Sequence, residues 1–448
     1  MAVRPRGGVR RDLRLSLGDA SGYGAMAGVA EVYLPAFGLA LGMSPVLAGL
    51  LSTVPLFTGG VLQLIAPRAI ARTRSLRGWV AACMAVQALA FVPLIVVALT
   101  GTLNTPVVFA AASLYWGAGM AASAGWTPWM ARIVPARIRS KFFGRRQGVV
   151  QATMLVGLIG AGIALHAFAG TTRILHVYAG LFALALVARL VSTISVARQG
   201  SGIDPSPRRR MRLRSVPPKL KGTPRASLLG YLVAASAAAA ISGPFLTPYL
   251  LVQENLGYVQ YSVFTATILV TKIVMLPIAG RIVARVGVRH MLSTSALAIA
   301  PIPFLWVASD QFWWLLLVQI YAGIGWAGFD LGLLLALFDA EDDAERTTMQ
   351  VAFSALNAFG NAGASLIGGA VLGYFGSDHH AYLMVFVVSA IARLLAAVLV
   401  VRELPRLFVR LPVTLVVGAW TMAIRPWGGT IVRPIVEGLG KLTKRERG

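Results

Sequence analysis

The chain is poor in the residues a soluble enzyme relies on. It has one cysteine, Cys83, set inside an apolar run. That excludes an intrachain disulfide and any metal centre built from several thiolates. Acids are scarce, with 16 Asp and Glu against 41 Lys and Arg in 448 residues. The five histidines are dispersed, apart from His379 and His380 in a short loop beside an apolar run. That pair reads as a solvated turn. No His/Glu metal motif lies on a helix, so no metal is expected. No Gly-x-x-x-x-Gly-Lys-Ser/Thr loop is present to cradle a phosphate, which argues against an ATP-driven pump. The chain is read as a non-enzyme without a cofactor.

Apolar residues are abundant. They make up 57% of the chain, and charged residues only 13%, about half the share of a soluble domain. A net charge of +25 would suggest nucleic acid in a soluble protein. Here Lys and Arg gather between long apolar runs, as the positive-inside bias produces. A polytopic membrane protein is therefore expected, and not a nucleic-acid binder. Arg10 and Arg11 precede an apolar run much as in a twin-arginine signal. Span after span follows, so that run reads as a retained first span.

Crossing about 30 Å of hydrocarbon takes about 20 apolar residues. Such runs fall near 18–42, 45–67, 78–100, 104–125, 147–170 and 173–197. Six more fall near 226–252, 257–280, 287–308, 311–338, 347–374 and 378–401. The fold class is an all-α integral membrane protein of twelve transmembrane helices. Its segments are a basic N-terminus (1–17), a six-helix half (18–197), a basic linker (198–225), a second half (226–401) and a tail (402–448). Arginines crowd alternate loops: Arg68 to Arg77, then Arg132, Arg139, Arg145 and Arg146, then the linker, then Arg281, Arg285 and Arg289. That alternation puts both termini in the cytoplasm of a cell (inner) membrane protein. The acidic loop with Asp339, Asp342 and Asp343 falls on the same side. In the tail, 411–424 is too short to span and is flanked by Arg406, Arg410, Arg425 and Arg433. It reads as an amphipathic helix lying in the interface, and anionic lipid is expected at the basic loops and tail.

The two halves align. Tyr115-Trp116-Gly117-Ala118-Gly119 corresponds to Tyr321-Ala322-Gly323-Ile324-Gly325, with arginines and paired glycines following at similar spacing. An even number of spans per unit makes the duplication parallel.

Twelve spans split six and six around a long linker resemble the major facilitator superfamily. Its loop signature Gly-x-Leu-Ala-Asp-Arg-x-Gly-Arg-Arg/Lys is similar to Gly280-Arg281-Ile282-Val283-Ala284-Arg285-Val286-Gly287-Val288-Arg289, with Ala284 in place of the aspartate. The copy between spans 2 and 3 is more degraded. Trp126, Trp129, Pro135, Arg139 and Phe143-Gly144-Arg145-Arg146 look like a loop in uncharacterised bacterial members. The resemblance covers about 18–401. It implies that spans 1, 4, 7 and 10 line a central cavity and that Gly280, Arg281, Arg285, Gly287 and Arg289 belong to a gating loop. With the signature aspartate missing, the acids of 339–345 are expected to latch onto first-half arginines, Arg139, Arg145 and Arg146 among them.

Candidate pathway residues follow. Span 1 carries Gly24, Gly28, Glu31, Pro35, Gly38 and Gly42 along one helical line. Span 4 offers Tyr115 and Trp126, span 10 Gln319, Trp326 and Asp330, and span 11 Asn357 and Asn361. Charges inside spans are costly, about 2.5–3.5 kcal/mol at a helix centre, and so should face the bundle interior. Glu31, Lys272 and Asp330 stand out, with Lys272 and Asp330 as a possible pair. Arg189 and Arg393 lie near helix ends, where snorkelling is the simple reading. The expected function is secondary transport of a small molecule by alternating access, working as a monomer, with the proton as coupling ion. The alternatives are a lipid flippase or scramblase on the same fold, and a membrane sensor or enzyme that has lost transport.

Overall fold

The computed structural model describes residues 6–70, 72–73, 75–134, 136–200, 224–338, 343–376 and 378–407. The tail, the basic part of the linker and most of the acidic loop lie outside these residues. So do the expected tail helix and latch.

Among the described residues, twelve helical spans form two six-helix halves. Span 1 is Arg6–Met26, a π-helical turn at Ala27–Glu31, and Leu34–Ala40. Span 2 is Pro45–Leu50 with Val54–Ile70, and span 3 is Leu76–Leu89 with Phe91–Thr100. Spans 4, 5 and 6 are Thr105–Ile133, Ala136–Ala167 and Ile174–Ala197. Span 7 opens with Pro224–Ser242 and ends in a π-helical stretch, Tyr249–Gln253. Spans 8 and 9 share Tyr258–Ile299, and span 9 continues into Ile302–Val307. Spans 10, 11 and 12 are Phe312–Phe338, Asp343–Phe375 and His379–Leu407. Eleven of these are long and apolar enough to cross a membrane. Span 1 is not among them.

Several boundaries differ from the sequence reading. Helix begins at Arg6, so most of 1–17 is part of the first rod. Asp12 and Ser16 are buried, and Gly200 N–H donates to Asp12 Oδ1 (2.8 Å). Polar residues there pack against the start of the linker, which hydropathy cannot register. Spans 8 and 9 are separate helices that meet without a longer loop at Gly287, where φ is +84°. Glycine takes that conformation without a Cβ clash, so the signature loop is a single-residue kink between two helices. Gly280 is buried there, while Arg281 and Arg285 are exposed.

The described contacts between halves concentrate on the face away from the linker. Tyr33 Oη lies 2.5 Å from Ser262 Oγ of span 8 and 2.7 Å from Leu158 O. Tyr261 Oη donates to Val32 O (3.2 Å), and Tyr178 Oη to Tyr258 Oη (3.2 Å). Deeper, Phe57 meets Phe359 edge-on at 4.9 Å.

Candidate functional site

The site grows out of close packing between spans 1, 5 and 6. A Cβ on Gly24 would stand 2.3 Å from Val150 O, and one on Gly28 2.2 Å from Met154 O. A Cβ on Gly22 would meet Ala188 O at 2.5 Å. These glycines let backbone approach backbone. The helical line from Gly24 to Gly42 is therefore not one cavity stripe. Its first two members are helix contacts, and the π turn resets the register before Glu31. Pro35 contributes to that turn. It has no N–H to return to the Glu31 carbonyl, so the α-helical ladder lapses there.

The π turn presents Glu31 to span 4, where Tyr115 Oη donates to Glu31 Oε2 (2.5 Å). Tyr115 is buried and acts as partner to the acid rather than as cavity wall. About three turns earlier, Asp19 is also buried. It accepts from Arg146 Nη2 of span 5 (2.7 Å) and from Ser192 Oγ of span 6 (2.6 Å). Ser192 in turn accepts from Arg189 Nη1 (3.1 Å). Arg146 lies 4.4 Å over the Trp126 ring, and Arg189 5.4 Å from the Tyr23 ring. Two acids and two arginines thus form one set inside the N-terminal half. They share a cavity of about 290 Å³ with Gln87, Trp116, Gly119, Ser123 and Trp126. Within it the Gln87 carbonyl oxygen and the Nε atoms of Arg146 and Arg189 have no hydrogen-bond partner among the described residues.

Two arginines change role relative to the sequence reading. Arg146 was placed with the gating loops, but span 5 starts earlier than hydropathy suggested and carries Arg146 inward to Asp19. Arg145 beside it is exposed, and nothing is described of the Arg139 side chain. Arg189 does not snorkel, since only 5% of it is exposed. Asp19 was missed altogether. The available signal was its position one helical repeat from Gly22 and Tyr23, on the face that span 1 turns to spans 5 and 6.

The remaining candidates lie elsewhere. Lys272 Nζ pairs with Asp330 Oδ2 at 2.5 Å, with side chains 31% and 42% exposed. This pair belongs to the C-terminal half and does not line the cavity that holds Glu31. Gln319 is buried in span 10, and Trp326 packs edge-on against Phe329 at 5.7 Å. Asn357 and Asn361 are four residues apart on span 11, each with a buried side-chain oxygen that has no partner among the described residues. Their i, i+4 spacing puts both on one helix face.

Residues 227–428 match the sequence model of the major facilitator superfamily. A search of curated proteins returns no match. Among solved structures, the nucleoside transporter NupG is 16% identical, with 88% of this chain and 98% of that one covered at a TM-score of 0.65. A point mutant of NupG is 14% identical, with 87% and 99% covered at a TM-score of 0.67. A bacterial homologue of the human lysosomal transporter Spinster, in an inward-facing and occupied conformation, is 12% identical, with 90% and 98% covered at 0.67. At these identities the likeness speaks to fold, which both halves share with the transporters. The chain is a multi-pass membrane protein that shares its fold with these transporters, and its C-terminal half matches the sequence model of the major facilitator superfamily.

Proposed function

We propose that the protein is a secondary transporter of a small polar molecule, working by alternating access and coupled to protons. The observation that carries this reading is the N-terminal cavity, where buried Asp19 and Arg189 and half-buried Glu31 and Arg146 stand together beside polar atoms unpartnered among the described residues. Such groups are costly in a membrane interior and mark ion or substrate routes. Glu31 is the proton-exchanging group in this reading, because a carboxylate held by a neutral tyrosine hydroxyl has no fixed cation of its own. Trp116 and Trp126 supply flat apolar walls, and Gln87 an amide. At about 290 Å³ the cavity is near the lower end of ligand pockets, which suits a small substrate. The interhalf contacts away from the linker fit a state closed on that face. Both termini are assigned to the cytoplasm on the arginine alternation, and the working unit is taken as the monomer.

The test begins with thermal stabilisation of the purified protein across a metabolite library, since a ligand that binds the folded state raises its melting temperature. A hit should stabilise the wild type and not Trp126→Ala. Its uptake into proteoliposomes should require a pH gradient and lose that dependence in Glu31→Gln. Equal stabilisation of both proteins, or gradient-independent uptake, would overturn the reading.

A lipid substrate is the second reading. An apolar groove of about 490 Å³ runs between spans 5, 8 and 10, lined by Ile159, Ile163, Val263 and Val270 among others. An acyl chain would fit its chemistry. Movement of fluorescent lipid across reconstituted vesicles, abolished by Ile163→Asp, would favour this reading over the first.

A further inference from the structure

Three loops of the C-terminal half meet on the face away from the linker. Glu254 follows span 7, Asp310 lies between spans 9 and 10, and His379 opens span 12. One ligand atom from each lies within 4.8 Å of the others. His379 Nδ1 is 3.7 Å from Glu254 Oε1, whose side chain is only 8% exposed. Tyr249 Oη donates to Asp310 Oδ1 (3.4 Å). The neighbouring Tyr382 ring, 5.5 Å from that of Tyr249, carries a buried hydroxyl with no partner among the described residues. Segments 253–257, 308–311 and 376–380 contain three acids and no Lys or Arg. In a chain of net charge +25, this is a local concentration of acids, with His379 and His380 as the basic side chains beside them. Asp378 is already engaged, because it accepts from Ala381 N–H (2.9 Å) at the start of span 12. Burial and the facing Asp310 push the Glu254 carboxyl above its ordinary range.

We propose that Glu254, Asp310 and His379 form a divalent-cation site of zinc type. One imidazole and two carboxylates suit zinc and leave a fourth position for water. An ion at the centre of a triangle of side 4.8 Å stands about 2.8 Å from each corner, against about 2.1 Å in a zinc site. Each ligand atom therefore needs to close in by less than about 1 Å, within side-chain rotation. The bound ion joins three otherwise separate loops. It also fixes the π-helical end of span 7, which closely follows Thr247, whose Oγ1 lies 3.2 Å from the Tyr261 hydroxyl that bonds Val32 O of the other half. The site is thus placed to respond to the solution bathing that face and to hold the face shut.

Calorimetric titration of the purified full chain with zinc chloride tests this, with thermal unfolding as a second readout. The wild type should bind one equivalent and melt higher with zinc. His379→Ala and Asp310→Asn should each lose at least about tenfold in affinity, while His380→Ala keeps the wild-type response. Melting without zinc confirms that the variants fold. No stoichiometric binding by the wild type would overturn the site. So would undiminished binding in either His379→Ala or Asp310→Asn.

Discussion

Asp19→Asn is a sharp test of the N-terminal charge set. The Asp19 side chain is 3% exposed and that of Arg146 is 14% exposed, so water screens their 2.7 Å contact poorly. Asparagine keeps the size and one acceptor oxygen but removes the charge. Two guanidinium groups then face one acid, Glu31. Removing one partner of a buried pair costs about 3–5 kcal/mol, most of it from the charge left behind. Arg146→Met leaves the opposite excess, two acids against Arg189. The double variant removes both charges, so its loss should be smaller than the sum of the single losses by at least about 1.4 kcal/mol, roughly tenfold in the unfolding constant. Denaturing-detergent titration of the four proteins, followed by tryptophan fluorescence, measures the cycle. Additive losses, or single losses under about 1 kcal/mol, would show that the four charges do not act as a set.

Other expectations are simpler. Gly28→Ala places a Cβ against the Met154 carbonyl at 2.2 Å and should cost about 1–3 kcal/mol through overpacking; a melting temperature equal to wild type would contradict the backbone contact. Tyr33→Phe removes a hydroxyl shared by Leu158 O and Ser262 Oγ. It should favour opening of the far face by about 1 kcal/mol, or roughly fivefold, read as faster labelling of a cysteine placed at Val46 in a Cys83→Ser background. Unchanged labelling would remove Tyr33 from the gate. Reporter fusions after Gly200 and Gly448 should be active on the cytoplasmic side only, and activity outside would reverse the topology.

The helices were legible because hydropathy and arginine clustering are additive, local signals. Glu31 was legible for the same reason, as an isolated acid in an apolar run. Span 1 shows the limit of such signals. Its glycine line treated the helix as uniform, yet a π turn adds a residue to one loop of the ladder and redirects everything after it. Arg146 shows another limit. Charge clustering assigned it to a loop, but it is covered by a carboxylate 127 residues away in sequence. No local rule pairs residues that distant. The Lys272–Asp330 pair was foreseen as a possibility because both charges sit inside spans of one half, where each is the readiest partner for the other.

The duplicated architecture offers an internal control on where the ionic chemistry resides. Arg189 of span 6 and Arg393 of span 12 occupy corresponding rods, and both are buried, at 5% and 4% exposure. Each reaches a serine at the inner edge of its half. Arg189 reaches Ser192, which bonds Asp19 of span 1. Arg393 reaches Ser242 of span 7 and the carbonyls of Ala239 and Ile299. Among the described residues no acid stands at Arg393, so its charge is met by fixed dipoles. Dipoles of this kind hold a charge in place but cannot exchange a proton. In the N-terminal half the same position is met through a carboxylate, beside a second carboxylate and a cavity. That half has carboxylates next to open space, while among the described residues the corresponding corner of the other half offers only hydroxyl and carbonyl oxygens to its arginine. Proton coupling, if carried by this pair of corners, therefore belongs to the N-terminal one. Arg393→Lys should then alter stability without changing the pH dependence of transport, whereas Asp19→Asn should change both.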